Sequence, residues 1–184
     1  MERNKTLKVS LMAIFVALTA IGAFIRVPVP MVPFTLQLTM TTMAGLVLGP
    51  RLGAASVGMY VALGLMGLPI FAEGGGIGYI FKPSFGYLVG FIFGAYISGK
   101  IAAVPRPSVK RLLVANFAGL GVVYLCGMVY FYLCSMFYLH NPIGLWPLFF
   151  YCFLIVVPGD AVLAILTAIV GNRVLPYIGR ERWL

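Results

Sequence analysis

The chain has 184 residues, of which 62% are hydrophobic and only 9% charged, against roughly 25% charged in an average soluble domain. A water-soluble core of this length cannot hide so much apolar side chain, whereas lipid accepts it, so the composition implies an all-α integral membrane protein with spans of roughly 20 residues. The net charge of +9 would raise the question of nucleic acid in a soluble protein, but the placement of the charges along the chain excludes that partner.

The first predicted span covers residues 9–25. The segment Val27-Pro28-Val29-Pro30-Met31-Val32-Pro33 follows, and its three prolines forbid a continuous helix and predict a stiff outer crossing. The second span, 35–48, opens with Thr35 and Gln37, which could face ligand or water at the outer mouth. Gly49-Pro50-Arg51 reads as a tight inner turn into the third span, 53–68. Between Pro69 and Pro83 lies the least helical segment, with Gly74, Gly75, Gly76 and Gly78 clustered where the backbone can approach a ligand closely. The remaining spans are 84–104, 112–138 and 146–171, separated by Pro105-Arg106-Pro107 and His140-Asn141-Pro142. Six spans fill one membrane domain over 1–184 and leave no room for a second.

With six spans, Arg3, Lys5, Lys8, Arg51, Lys100, Arg106, Lys110, Arg111, Arg173, Arg180 and Arg182 fall on one side, and only Arg26 and Lys82 on the other. This asymmetry puts both termini in the cytoplasm. Cys126, Cys134 and Cys152 sit in apolar runs without metal-ligand spacing and read as small buried hydrophobes. No metal site, cofactor or catalytic group is expected. Gly94 to Ile101 imitates the start of a phosphate-binding loop, but Lys100 is followed by Ile101 rather than Ser or Thr and no strand precedes it, so the chain carries no ATPase of its own.

Two small-residue strips are visible. Gly86, Gly90 and Gly94 share one face of the fourth span and favour close packing within the chain. Ala13 and Ala17 form a smoother strip on the first span, a candidate docking surface for a partner. Asp160 is the informative residue, the only acidic side chain inside the predicted spans. A carboxylate there costs several kcal/mol unless it is paired or hydrated, and Pro158-Gly159 before it loosens the helix. A ligand site is the favoured reading over a structural carboxylate or a proton relay, which lacks further intramembrane acidic or histidine partners. The other candidates are Lys82, for an anionic group or as a snorkelling surface lysine, Tyr79, Phe85 and Tyr87, for flat contacts to a ring or as part of the interfacial aromatic belt, Ser84, Gln37, and Asn116, which could instead bridge helices.

Pro33-Phe34-Thr35-Leu36-Gln37, Ala44 through Gly53, Tyr60 through Phe71, the glycine loop, Lys82 through Phe91, and Pro158-Gly159-Asp160 together resemble the BioY family, in order, over most of the chain. The resemblance implies a six-helix S component of an energy-coupling-factor (ECF) transporter that captures biotin near the outer face, beneath the loop between the third and fourth spans. It implies a bacterial-type plasma membrane location, a membrane T component and two cytoplasmic ATPases that power uptake, and docking through Ala13 and Ala17. It assigns Asp160 to the ureido ring; Tyr79, Gly76, Gly78, Ser84, Tyr87, Gln37 and Asn116 are the further residues expected to bind the substrate. Many relatives carry lysine three positions after the aspartate, where this chain has Leu163; Lys82 is then expected to meet the biotin carboxylate. An S component for another vitamin, a stand-alone ion-coupled carrier and a ligand-free membrane interaction protein are the competing classes, and the scarcity of intramembrane charge disfavours the carrier.

Overall fold

A computed structural model describes residues 2–27, 32–141 and 143–178. Pro28, Val29, Pro30, Met31, Pro142, Arg180 and Arg182 lie outside the described residues. Helix α1 (Glu2–Phe24) leads to a short antiparallel ladder, β1 (Arg26–Val27) with β2 (Phe34–Thr35), in which Arg26 faces Thr35 and Val27 faces Phe34. Then come α2 (Gln37–Leu65), a 3₁₀ turn (Ile77–Phe81), α3 (Phe85–Ile101), α4 (Val109–Phe137), the short α5 (Leu145–Phe149), a π-helical turn (Phe150–Leu154) and α6 (Val157–Ile178).

Four helical stretches among the described residues are long and apolar enough to cross a membrane, Thr6–Phe24, Gln37–Leu65, Val109–Phe137 and Leu145–Ile178; α3 is a shorter apolar helix. The second of these is not straight. Gln37 Nε2 donates to the Tyr60 hydroxyl at 2.7 Å, although 23 residues of straight helix would separate them by about 34 Å. Gly49, at φ 81° and ψ 177°, breaks the helix, and Pro50 begins the returning arm with the fixed φ that suits a first helical turn. A Cβ on Gly53 would stand 2.6 Å from Gly45 Cα, so these two glycines let the arms of the hairpin touch.

Helix α3 is wedged between that hairpin and α4. A Cβ on Gly90 would fall 2.9 Å from Val123 Cα, one on Gly94 would fall 3.1 Å from the Gly119 carbonyl, and Gly86 lies under Tyr130. The glycine stripe is therefore used inside the chain, where small residues replace the hydrophobic drive that lipid removes. Ser98 ties the pair further by donating to the Ala115 carbonyl at 3.0 Å. Helix α1 packs on α2 through buried Phe15, Thr19 and Ala23, and Ser56 donates to the Met12 carbonyl at 2.8 Å. Ala13 and Ala17 are exposed on another face.

The charged turns separate in space. Arg111 Nε donates to the Ile101 carbonyl at 2.6 Å and Asn172 to the Pro107 carbonyl at 3.0 Å, while Gly99 packs against Pro50, which gathers the 49–51 turn, the 102–108 turn and the end of α6. Arg26 instead donates to the Ala72 carbonyl and Lys82 to Glu73, both in the loop between α2 and the 3₁₀ turn. That loop is packed down: Phe71 is buried between Tyr60 and Tyr79, with ring centroids 5.5 and 4.6 Å away. Gly76, at φ 95°, donates its N–H to the Gly64 carbonyl at 2.7 Å.

The apolar run expected as a sixth span is one helical stretch, Leu145–Ile178, with a π-helical turn inside it. Ile155 N–H reaches the Phe150 carbonyl at 3.1 Å, a five-residue step, and Pro158 has no N–H to give the preceding turn. Helix α6 begins at Val157, which puts Asp160 in its first turn.

Candidate functional site

Near the end marked by Arg26 and Lys82, β2, the start of α2, the loop, α3, α4 and the start of α6 surround a cavity with about 560 Å³ of atom-free space, part of it open to solvent. Asp160 lines it and is only 8% exposed. The Asp160 N–H donates to the Val156 carbonyl at 3.2 Å, so the helical ladder runs on through this turn and the carboxylate is met by a side chain. The Tyr124 hydroxyl donates to Asp160 Oδ2 at 2.5 Å. Oδ1 accepts no hydrogen bond from the described residues, so one carboxylate oxygen is pinned and the other is free for a ligand.

The walls follow from local sequence. A Cβ on Gly159 would lie 2.8 Å from the Phe34 ring, so a glycine before Asp160 admits that ring to the cavity. Gly127 leaves room for the Tyr87 ring, whose hydroxyl donates to the Cys152 carbonyl at 3.2 Å in the π-helical turn. Tyr87 and Tyr124 meet edge to face, 6.0 Å between centroids, and Phe153 supports Tyr124 from 5.2 Å. Leu88, Phe91, Val123 and Val156 complete an apolar lining.

At the loop side of the cavity, the Thr35 hydroxyl donates to Gln37 Oε1 at 3.3 Å. Gln37 donates to Tyr60, which donates to the Ile70 carbonyl at 2.8 Å, so the cavity's amide is oriented through the loop anchor. Tyr79 and Ser84 stand at the loop edge. Burial pushes the Tyr79 phenol above its ordinary value and keeps it a proton donor.

Of the residues expected around a ligand, Asp160, Tyr79, Ser84, Tyr87 and Gln37 line this cavity together. Four stand elsewhere. Lys82 pairs with Glu73 at 3.0 Å, 4.9 Å over the Tyr79 ring. Gly76 and Gly78 shape the loop behind Tyr79. Asn116 is buried and donates to the Ala164 carbonyl at 2.8 Å, bridging α4 to α6. The sequence reading missed Tyr124, which stands two turns beyond Asn116 on the same buried stripe of α4; that eight-residue spacing was the available signal. Among the described residues no group of His, Cys, Asp and Glu could hold a metal.

The Tyr124→Phe variant should lose about 1–3 kcal/mol of stability, because it removes the one side-chain donor from a buried carboxylate. Thermal unfolding in detergent checks this, and an unchanged midpoint would mean Asp160 does not depend on that bond.

A model of the BioY family matches residues 1–180. The "Probable biotin transporter BioY" of Lysinibacillus sphaericus is 39% identical over 174 residues, 94% of this chain and 89% of that protein. The "Biotin transporter BioY" of Rhodobacter capsulatus is 34% identical over 96% of this chain and 95% of its own length. The fold superposes with a TM-score of 0.81 on a crystal structure of the S-component for biotin from an ECF-type ABC transporter, 27% identical, covering 95% of this chain and 93% of that one. With apolar helices of membrane length and a family match across nearly all of its residues, this multi-pass membrane protein belongs to the BioY family.

Proposed function

We propose that the chain is the biotin-binding S component of an ECF transporter, and that the cavity ending in Asp160 is where biotin is captured. One observation carries the assignment of the site: a buried carboxylate with one oxygen pinned by Tyr124 and the other open to a mostly apolar cavity. Biotin's fused rings carry two ureido N–H donors on a compact apolar body, which suits such an acceptor. The ureido head lies toward Asp160 with Phe34, Tyr87 and Phe91 against the ring system, and the valerate chain runs outward past Gln37, Ser84 and Tyr79.

Six crossings support this arrangement: α1, the two arms of α2, α3, α4, and α5 through α6, with both termini in the cytoplasm. The hairpin at Gly49 is what supports counting the second stretch twice. The orientation puts the cavity outward and the basic turns inward, in a bacterial-type plasma membrane. The chain itself is not an enzyme; a T component and two ATPases supply the energy, and Ala13 and Ala17 meet the T component. Purified protein should bind biotin saturably and retain neither thiamin nor riboflavin. Thiamin or riboflavin binding without biotin binding would assign another vitamin, and ion-driven uptake by this chain alone would make it a secondary carrier.

Lys82 supplies the charge for the biotin carboxylate by turning from Glu73 across the Tyr79 ring. Because this lysine is half exposed, Lys82→Ala should weaken biotin by only about three- to tenfold, in line with about 1 kcal/mol for a solvated pair. Biotin methyl ester should lose nothing. Equal affinity of the native and variant proteins for biotin would refute the role.

A further inference from the structure

We propose that the Asp160 end of the cavity is selective for positive charge, so that a biotin-like molecule with a cyclic guanidinium head binds at least as tightly as the neutral cyclic urea. The inference rests on the proposed biotin site and extends its ligand class. Among the described residues no lysine, arginine or histidine lines the cavity. The ion pair formed among the described residues joins Lys82 to Glu73, and Arg26 is engaged with the Ala72 carbonyl; both cations belong to the loop rather than to Asp160. What meets the carboxylate is the Tyr124 phenol, and the cavity lining around it is aromatic and apolar, Tyr87, Phe91, Val123 and Val156 among it. These groups hold the anion in place and leave its charge without a cationic partner.

A buried charge without a counterion is costly, and the cost falls when the ligand brings one. A planar guanidinium presents the same pair of N–H donors as a urea, now cationic, and N⁺–H···O⁻ bonds are shorter and stronger than neutral ones. Guanidinium is also less tightly hydrated than an ammonium ion, so it gives up less on entering the cavity. A lysine placed one turn away would cancel this preference. Leu163 is half-buried and stands three residues after Asp160, on the neighbouring part of the same helix surface.

The test compares biotin with 2-iminobiotin, its cyclic guanidinium analogue, by equilibrium binding at neutral pH to the purified full chain and to Leu163→Lys. The expected result is native affinity for 2-iminobiotin equal to or above that for biotin, and a ratio of the two that falls at least tenfold in favour of biotin in Leu163→Lys. Intact biotin binding with weaker 2-iminobiotin binding by the native chain overturns the inference and leaves the biotin site standing. A ratio unchanged by the lysine in a variant that still binds biotin overturns it as well. Binding of 2-iminobiotin without biotin overturns the biotin assignment and keeps the charge preference, and binding of neither ligand overturns both. Should Leu163→Lys fail to fold, Asp160→Asn provides the second arm, and retention there of the native ratio would overturn the inference.

Discussion

Asp160→Asn should weaken biotin binding about ten- to a hundredfold, while the protein remains folded. The asparagine amide has the shape of the carboxylate but two faces of opposite character. If its oxygen accepts from Tyr124, its NH₂ group faces the ligand's N–H donors and no bond forms. If it turns, the Tyr124 hydroxyl accepts from the NH₂ group and the ligand meets a neutral carbonyl oxygen in place of an anion. Either arrangement forfeits a hydrogen bond to a charged group, worth about 1.5–3 kcal/mol, and the upper part of that range corresponds to about a hundredfold in Kd. Asp160→Leu removes the acceptor altogether and should lose more. Stability moves the other way: a buried anion with one side-chain hydrogen bond is expensive, so the asparagine variant should unfold at the same or a higher temperature in the absence of biotin. Isothermal titration and thermal unfolding on the same preparation read both quantities. Affinity within threefold of native would remove Asp160 from the ligand.

Asp160 was legible in the sequence because an acidic residue in an apolar run costs free energy that something must offset. The hairpin of α2 was legible for a similar reason, since Gly49-Pro50 cannot continue a helix. Tyr124 was not. It stands among Tyr130, Tyr132, Tyr138 and many phenylalanines; its eight-residue spacing from Asn116 marks it for the buried face, but nothing local says that it reaches a carboxylate. The partner is 36 residues away, and only the crossing of α4 with α6 brings the two together. The irregularity before α6 was half legible: Pro158-Gly159 announced a weak point, but the π-helical turn lies upstream at Phe150–Leu154, in a run of aromatic residues with no helix breaker. Conversely, Asn116 looked like a ligand contact because polar residues are rare in apolar helices; it stands outside the cavity lining, with Nδ2 on the Ala164 carbonyl and Oδ1 buried without a partner among the described residues.

Large side chains at Ala13 and Ala17 should abolish powered uptake without touching biotin binding. Helix α1 uses one face for its own fold: Phe15, Thr19 and Ala23 are buried, and a Cβ on Gly22 would already sit 3.1 Å from the backbone at Leu36 and Gln37. Ala13 and Ala17 lie outside that face and are exposed, four residues apart, so they present one smooth strip. In lipid such a strip lets another helix approach to backbone contact, where close packing supplies the attraction that apolar burial does not. Tryptophan at both positions fills the approach while remaining compatible with lipid, so the isolated variant should fold and bind biotin with a Kd within about twofold of native. In cells that also express the T component and both ATPases, biotin accumulation should fall to the level of cells without them. The separation of the two measurements is what makes the experiment decisive. Loss of binding together with uptake would place the strip inside the fold, contrary to its exposure. Unimpaired uptake would move the docking surface to another helix, and uptake that persists with the ATPases omitted would mean that this chain does not need them.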